Sequence, residues 1–477
     1  MSVLTNTLER DLMAISPTAA YSRKPLDVIG LMNRITFGFT TAEQALAESR
    51  GYSGYLDYQL DHLTIDDSAL AARMAGPEFP TLLMTPEQLS VQNGGDTQNQ
   101  LIRARVVRAV FSKRQLFERM VEFWSDHFNI WIYEDGIQAN QKPWDDAYVI
   151  RPHALGSFPA MLSASAHSPT MLDYLNNNAN TASAPNENYG RELMELHSVG
   201  VDGGYTQQDV VQVAKCFTGW TYWGGTTVPA NLRYSFRFNA NSHDNGQKIV
   251  LGNIIPAGGG QQDGETVLQI LAAHPSTARF ISKKLLRHFW GDEPPSNLVE
   301  NLALTYMSTQ GDIKAMMRAI LSSYLSPPPQ RKFKRPFHHM VSGLRALNAT
   351  VTSPGNLQNQ MISAGQLPFN WQPPDGYPDT LTAWSGLLLP RWNFGASLLN
   401  SQFSGVSVDT TALLVGVPAP LTAANVVARI NALMFGGRMP QSEQTSLTTY
   451  LLPNAPSTTR IREAFGLAIG SPAFQWY

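Results

Sequence analysis

The densest group of residues that could carry acid/base chemistry lies near the middle of the chain, in the segment NENYGRELMELHSVGVDGG. Asn186 at its start can cap a helix, because a side-chain oxygen there accepts a free backbone N–H. On that helix Glu187, Arg191 and Glu195 follow at i, i+4 and i+8 and share one face. The spacing lets one guanidinium lie between two carboxylates.

Glu192 and His197 flank the apolar face of the same helix and are candidate proton carriers. The alternative is that the Glu–Arg pairs are ordinary solvent-exposed helix pairs, worth a few tenths of a kcal/mol each. The spacing E-x-x-E-x-H matches neither the E-x-x-H of di-iron bundles nor the H-E-x-x-H of zinc proteases. We therefore assign no metal ligands, and the sequence indicates no particular cofactor.

A second candidate is FWSDHFN, at the end of a long amphipathic run from Asn99 to Phe128. It places Trp124 and His127 beside Asp126. Histidine titrates near neutrality, so His127 could act as a general base, or it could be a helix-terminal histidine favoured by the dipole.

Two loops rich in turn residues are candidate substrate-binding segments. Proline lowers the entropy cost of presenting an aromatic ring to a sugar, although a proline-stiffened turn packed on the core would look the same. The candidates are His243, Asp244 and Lys248 in SHDNGQKIVLG, and Trp371, Asp375, Tyr377 and Asp379 in WQPPDGYPDT.

Two further sets of basic residues have weaker patterns. One set lies on amphipathic helices and is predicted to face solvent; the other precedes a helix and could contact a substrate anion or simply face water. They are His274, Lys283, Lys284 and His288, and then Lys334, Arg335, His338 and His339.

Helical periodicity dominates the elements that must position these residues. Besides the run 99–128, it predicts two helices within 268–290 broken at Pro275, with Ser276 as the second N-cap, and a C-terminal helical pair at 423–435 and 457–469. YSFRF and KIVL predict one small hairpin. We expect a mainly α-helical fold with long loops: an N-terminal extension (1–26), a main helical domain (27–400) and a C-terminal helical lobe (401–477).

Composition excludes several classes. The formal net charge is −2, which argues against nucleic-acid binding. The single cysteine, Cys216, excludes an internal disulfide. No apolar run is long enough to span a membrane, and no signal peptide is visible. The compartment stays open, cytoplasmic or exported with the leader removed, as does the oligomeric state.

The central block also resembles a known family. NENYGRELMELHSVGVDGGYTQQDVVQVAKCFTGWTY, with LMNRITFGFT, MLDYLNNN, HPSTARFISKKL, PPDGYPDT and LPRWNFG, is similar to the bacterial family called domain of unknown function 1800, over about residues 27–400. The resemblance implies a mostly helical protein whose activity is unknown. It also implies a possible partner from the family numbered 1501, which resembles sulfatase-type hydrolases. Export signals are common in the family, and this chain departs from that pattern.

Two functions follow from the residues. The first is an enzyme, hydrolytic or eliminating, that acts on a glycan-like or other polymeric substrate in one cleft formed by the central helix, FWSDHFN and the two loops. The second is a non-catalytic binding or assembly protein in which the Glu/Arg/His set is a structural polar network. An open cleft favours the first function and sealed side chains favour the second.

Overall fold

The computed structural model describes residues 27–225, 227–323, 325–452 and 455–477. Within these ranges the chain is 59% helical, with 23 α-helices and three two-stranded antiparallel sheets. The mainly α-helical prediction is confirmed, whereas the predicted extension 1–26 lies outside the described residues. In the same described part, no helix is long and apolar enough to cross a membrane.

The helices of the N-terminal half are α1 Val28–Ile35, α2 Thr41–Leu60, α3 Ser68–Met74, α4 Pro86–Ser90, α5 Gly94–Phe111, α6 Gln115–His127, α7 Gln138–Asp145, α8 Phe158–Ala166, α9 Pro169–Tyr174, α10 Asn188–Glu195 and α11 Gln207–Cys216. Those that follow are α12 Gln262–Ala272, α13 Pro275–Phe289, α14 Ser296–Ser308, α15 Ile313–Ile320, α16 Pro336–Ala346, α17 Gly355–Ser363, α18 Leu381–Trp384, α19 Leu388–Leu399, α20 Thr410–Leu413, α21 Ala423–Phe435, α22 Gln441–Leu451 and α23 Thr458–Gly470.

Two of the six strands in the described residues form in the predicted segments YSFRF and KIVL, but they do not pair with each other. The six strands are β1 Trp220–Tyr222, β2 Phe236–Phe238, β3 Lys248–Val250, β4 Asn253–Ile255, β5 Thr350–Val351 and β6 Val406–Ser407. The predicted hairpin of β2 with β3 is wrong, because β2 pairs with β1, β3 pairs with β4, and β5 pairs with β6. The strand signal located β2 and β3 but carried no information on their partners, and it did not find the other four strands.

The long run 99–128 is two helices rather than one, α5 and α6, separated at Ser112–Arg114. Neither proline nor glycine causes the break. Instead, the Ser112 hydroxyl donates to Asp67 at 2.7 Å and accepts the Arg114 backbone N–H at 3.0 Å. The Gln115 amide then bonds the free carbonyls of Ala109 and Ser112. Tertiary hydrogen bonds thus end a helix that periodicity alone would continue.

The predicted break at Pro275 is confirmed, but Ser276 is not the cap. His274 is the N-cap of α13, and its Nδ1 accepts the Ser276 backbone N–H at 3.2 Å. The C-terminal helices α21 and α23 form within one residue of their predicted bounds.

Two large hydrophobic cores hold these elements. The first contains buried residues of α1, α2, α6 and α8–α15. The second joins α5, α16 and α19 to the C-terminal helices α21–α23. Residues on both sides of position 400 therefore share one core. Helix α6 lies in the first core and α16 in the second, and the candidate site lies where these two helices meet.

Candidate functional site

Helix α6 carries acidic side chains into the protein interior. Glu118, Glu122 and Asp126 follow at i, i+4 and i+8 and share one face. Arg151 contacts Glu118 at 2.6 Å. Arg335, which immediately precedes α16, contacts both other carboxylates at 2.5 Å, through Nη2 to Glu122 and Nη1 to Asp126. A buried guanidinium thus joins the two helices.

Another partly exposed carboxylate lies beside this pair. Asp379 contacts His288 Nδ1 at 2.7 Å and Lys332 Nζ at 3.0 Å. Burial would raise the pKa of Asp379, but the Lys332 charge holds it well below its usual range. Burial lowers the pKa of His288 to about 4, so a neutral ring donates to Asp379 at neutral pH. We call Glu122, Asp126, Arg335, His288, Lys332 and Asp379 the central charge network.

The loop 371–380 closes over the end of α6. Gly376 has a φ of +77°, and a Cβ there would lie 2.0 Å from the Asp126 carbonyl oxygen. Asn129 Nδ2 donates to the carbonyls of Trp371 at 2.8 Å and Pro373 at 2.7 Å. Because only glycine permits both this conformation and this approach, the loop is fixed against the helix terminus.

The four predicted binding residues of this loop divide into two pairs. The Tyr377 hydroxyl is buried and bonds backbone carbonyls, while Asp379 belongs to the central charge network. Trp371 is partly exposed, its indole N–H donates to the exposed Asp375 at 2.8 Å, and its ring lies 5.0 Å from that of Tyr377. Of the four, Trp371 and Asp375 are therefore the pair placed to meet a ligand directly, because Tyr377 is buried and Asp379 is paired with His288 and Lys332.

His127 and His197 come together as the single-cleft hypothesis requires, but inside the protein. Their rings lie 6.2 Å apart, and His127 Nε2 donates to the His197 carbonyl at 3.2 Å. Burial lowers the pKa of His127 well below its usual range and that of His197 to about 3. Trp124 is fully buried beside them, and its indole N–H donates to the Ala154 carbonyl. These three rings form the floor of the site rather than its open wall.

Lys284, predicted to face solvent, instead lies at the centre of the site. Phe280, Lys284 and His288 follow at i, i+4 and i+8 on α13. The Phe280 ring lies 6.3 Å from that of His127, and His288 bonds Asp379, so Lys284 lies between these contacts.

Two groups at this position have pKa values displaced toward neutrality. Burial raises the pKa of Asp126 to about 6. The Arg335 charge lowers this pKa in part, and the negative charge of Glu122, which contacts the same guanidinium, raises it. Burial lowers the pKa of Lys284 to about 8, against the opposing charges of Asp126 and Asp375. Asp126 keeps 21% exposure of its side chain, and Lys284 is also partly exposed. Burial and then Glu195 raise the pKa of the half-buried Glu192.

The Glu187–Arg191–Glu195 set is a surface ladder. Helix α10 ends at Glu195, so His197 follows the helix instead of lying on it. Arg191 contacts Glu187 at 3.0 Å and Glu195 at 3.7 Å, and the three side chains are 27–38% exposed. Gln207 bonds both Arg191 and Glu187, which ties α10 to α11. These contacts fit the solvent-exposed alternative and do not aim the set into a cleft.

His243, Asp244 and Lys248 belong to a second cluster, built around Asp263. Asp263 contacts His243 Nε2 at 3.1 Å and Lys248 Nζ at 2.6 Å, and Lys248 lies 3.8 Å from Asp244. The other ring nitrogen of His243 lies 2.8 Å from the Thr218 carbonyl. Because both ring nitrogens have protein partners and the ring is buried, this cluster has a structural role: it holds the segments around β3 together. The structure does not bring it together with His127 and His197.

The space enclosed beside Asp126 is small. A cavity of about 20 Å³, lined by Arg105, Glu122, Ser125, Asp126 and Tyr377 among others, has room for about one water molecule. Among the described residues, no group of three or more His, Cys, Asp or Glu side chains is arranged to hold a metal ion. Any larger ligand would therefore have to approach the partly exposed face.

Sequence reasoning missed Glu122, Arg335 and Lys284 as site residues. Lys334, Arg335, His338 and His339 neither face water nor meet an exposed anion, because all four are buried. A signal was present: three acidic residues at i, i+4 and i+8 on one amphipathic helix with several large apolar residues need cations as partners if that helix is buried. The sequence could not reveal which cations these are.

We predict that two arginines in similar settings respond differently to the same substitution. Arg335 and Arg191 each lie between two carboxylates, but only Arg335 is buried. Arg335→Lys loses the fork that reaches both carboxylates, so it should lower the free energy of unfolding by about 1–3 kcal/mol. Arg191→Lys should cost less than about 1 kcal/mol. Urea denaturation of both variants measures this, and equal losses would contradict the assignment.

We predict that Gly376→Ala destabilises the protein more than Gly252→Ala does. Both glycines have a φ of +77°, but nothing lies within 4 Å of a Cβ at Gly252. Gly252→Ala therefore reports backbone strain alone, on the order of 1 kcal/mol. Gly376→Ala adds the clash with the Asp126 carbonyl and should cost at least about 1 kcal/mol more. Equal melting of the two variants would show that the loop is not held against α6.

Comparison with known proteins places the chain in one family. Residues 30–476 match the family model described as "Protein of unknown function (DUF1800)". No curated protein and no solved structure matches the chain. The match covers both cores and every segment of the candidate site, and on that basis the chain belongs to the DUF1800 family.

Proposed function

We propose that the chain is an enzyme that uses acid/base chemistry for hydrolysis or elimination on a glycan-like or other polymeric substrate. One observation carries the proposal: Asp126 and Lys284, with pKa values of about 6 and about 8, occupy the same partly exposed site. General acid/base catalysis works best when the pKa values of the acid and the base lie near the working pH.

The protonation states define the roles. Near pH 7 most Asp126 carboxyls are ionised and can accept a proton, and most Lys284 amines are protonated and can donate one. Glu192, half-buried and with a raised pKa, is a second proton carrier at the rim. His127 and His197 stay neutral, so they form the floor of the site, and the carboxyls and the lysine carry the proton transfer.

The shape of the site supports an extended substrate. The cavity beside Asp126 has about 20 Å³, whereas pockets that enclose small molecules have about 300–1,000 Å³. The partly exposed Trp371 and the exposed Asp375 lie at the rim, on a loop fixed by Gly376 and Asn129. A ring and a carboxylate in a rigid loop suit a sugar unit of a chain that lies across the surface.

A non-catalytic binding or assembly role is the second candidate. The observation that favours it is the central charge network, whose Arg335 is buried and committed to two carboxylates. A network of this kind fixes helix geometry without any reaction. Under this alternative, the function would not require the pKa values of Lys284 and Asp126 to lie near neutrality.

We predict that Asp126 and Lys284 titrate near pH 6 and pH 8 in the intact protein. NMR of carbon-13-labelled carboxyl and lysine groups measures both values, and Asp126→Asn and Lys284→Met assign the signals. The assembly alternative is supported, and the enzyme proposal fails, if both groups titrate near the ordinary values of about 3.9 and about 10.4.

On polysaccharides, activity should follow a bell-shaped pH profile between those two values. New reducing ends on a neutral polysaccharide report hydrolysis. On a polysaccharide that contains uronic acids, elimination is reported by the ultraviolet absorbance of the double bond that forms next to the carboxylate. Asp126→Asn and Lys284→Met should each lower the rate by about 100-fold or more. Lys283→Met, which changes the exposed neighbour on the same helix, should leave it unchanged. Equal loss in all three variants would contradict a specific role for Lys284.

A further inference from the structure

Lys284 differs from the other lysine of the central site in having no ion-pair or hydrogen-bond partner among the described residues. Lys332 contacts two carboxylates, Asp292 at 2.8 Å and Asp379 at 3.0 Å. Lys284 has no ion pair within 4.0 Å and no hydrogen bond to any described residue. The side chain is partly exposed, and its nitrogen reaches solvent. Its lone pair becomes available once the proton leaves.

The surroundings of Lys284 are apolar on one side and acidic on the other. Its nitrogen lies 5.5 Å from the centre of the Phe280 ring, and the neutral rings of His127 and His197 lie beyond that ring. The carboxylates of Asp126 and Asp375 act on its charge from more than 4.0 Å away. In this arrangement no ion pair or hydrogen bond holds the amine, and carboxyl groups that can carry protons lie close by.

We propose that Lys284 is a nucleophile that condenses with the carbonyl group of an uncharged aldehyde or ketone to form an imine. This inference rests on the site of the proposed function but not on hydrolysis or elimination. The acidic residues Glu192 and Asp375 at the rim favour an uncharged carbonyl compound over an anionic one. An open-chain sugar aldehyde has this chemistry.

The reaction needs no oxidant or reductant. The Nζ lone pair adds to the carbonyl carbon while the carbonyl π electrons move to oxygen, which takes up a proton. The nitrogen loses a proton to a neighbouring carboxylate, giving a carbinolamine. A carboxyl group then protonates the hydroxyl, water leaves, and the nitrogen lone pair forms the C=N bond. Asp126, partly exposed and near Lys284, is placed to carry these protons.

The lowered pKa supports this geometry. At pH 7 about a tenth of amines with a pKa of about 8 are neutral, against roughly 0.04% of ordinary lysine amines. Lys283, exposed and adjacent on α13, provides the matched internal comparison, because it shares the helix and the chain context.

Reductive trapping tests the proposal on the unmodified protein. The intact chain is incubated at pH 7 with glycolaldehyde and cyanoborohydride, which reduces an imine to a stable secondary amine, and the modified lysines are identified by peptide mass spectrometry. Lys284 should be modified at least about tenfold more than Lys283. Modification of Lys284 no greater than that of Lys283 would overturn the proposal.

Two variants separate this result from the acid/base proposal. Lys284→Arg should remove the selective adduct, while Lys283→Arg should leave it in place. A selective adduct that persists in Lys284→Arg at another residue would overturn the assignment to Lys284. The trapping assay does not depend on polysaccharide turnover. Polysaccharide activity without selective trapping would therefore overturn the imine proposal and leave the acid/base proposal standing. Selective trapping without polysaccharide activity would leave this inference standing without the proposed substrate.

Discussion

The ion pairs of Arg335 with Glu122 and Asp126 are the interaction on which the rest of this structure depends. They join α6, in the first core, to the start of α16, in the second. Two carboxylates inside a protein cost several kcal/mol each in lost hydration unless a cation with matching geometry meets them. The planar fork of arginine provides that geometry, and both contacts measure 2.5 Å. The relative position of the two cores is therefore set by a polar constraint as well as by apolar packing.

The same constraint produces the perturbed groups of the site. Because Arg335 is shared with Glu122, its charge does not fully offset the burial of Asp126, and the pKa of Asp126 stays raised, at about 6. Lys332 is committed to Asp292 and Asp379, so neither of these carboxylates is free to pair with Lys284. For one carboxyl, Asp126, and one amine, Lys284, the neighbouring charges thus offset only part of the hydration that is lost on burial. Incomplete compensation is the usual physical origin of titration near neutrality.

Two of the polar sets show how similar residues serve different purposes. The Glu187–Arg191–Glu195 ladder, like the contacts of Arg335, places one guanidinium between two carboxylates, but water screens it and it ties α10 to α11 at the surface. The cluster of His243, Lys248 and Asp263 is buried and fully paired, and it fixes the segments around β3. Neither leaves an unpaired titratable group at a partly exposed position. This distinguishes both from the position where Lys284, which has no ion pair, lies near the paired Asp126, although all three sets combine carboxylates with basic side chains.

The sequence by itself determined the local structure: the mainly helical class, the break at Pro275, and the bounds of α21 and α23. These features depend on periodicity and proline, which act over a few residues. It also pointed to FWSDHFN and the loop 371–380, which lie together at the site. Only the tertiary structure decided the break between α5 and α6, the strand pairing, and which charged residues are buried. Arg335 lies 213 residues from Glu122 in the chain, and Asp379 lies 91 residues from His288. Burial and pairing across such separations are properties of the packed cores, and the local spacing of charged residues along the sequence does not specify them.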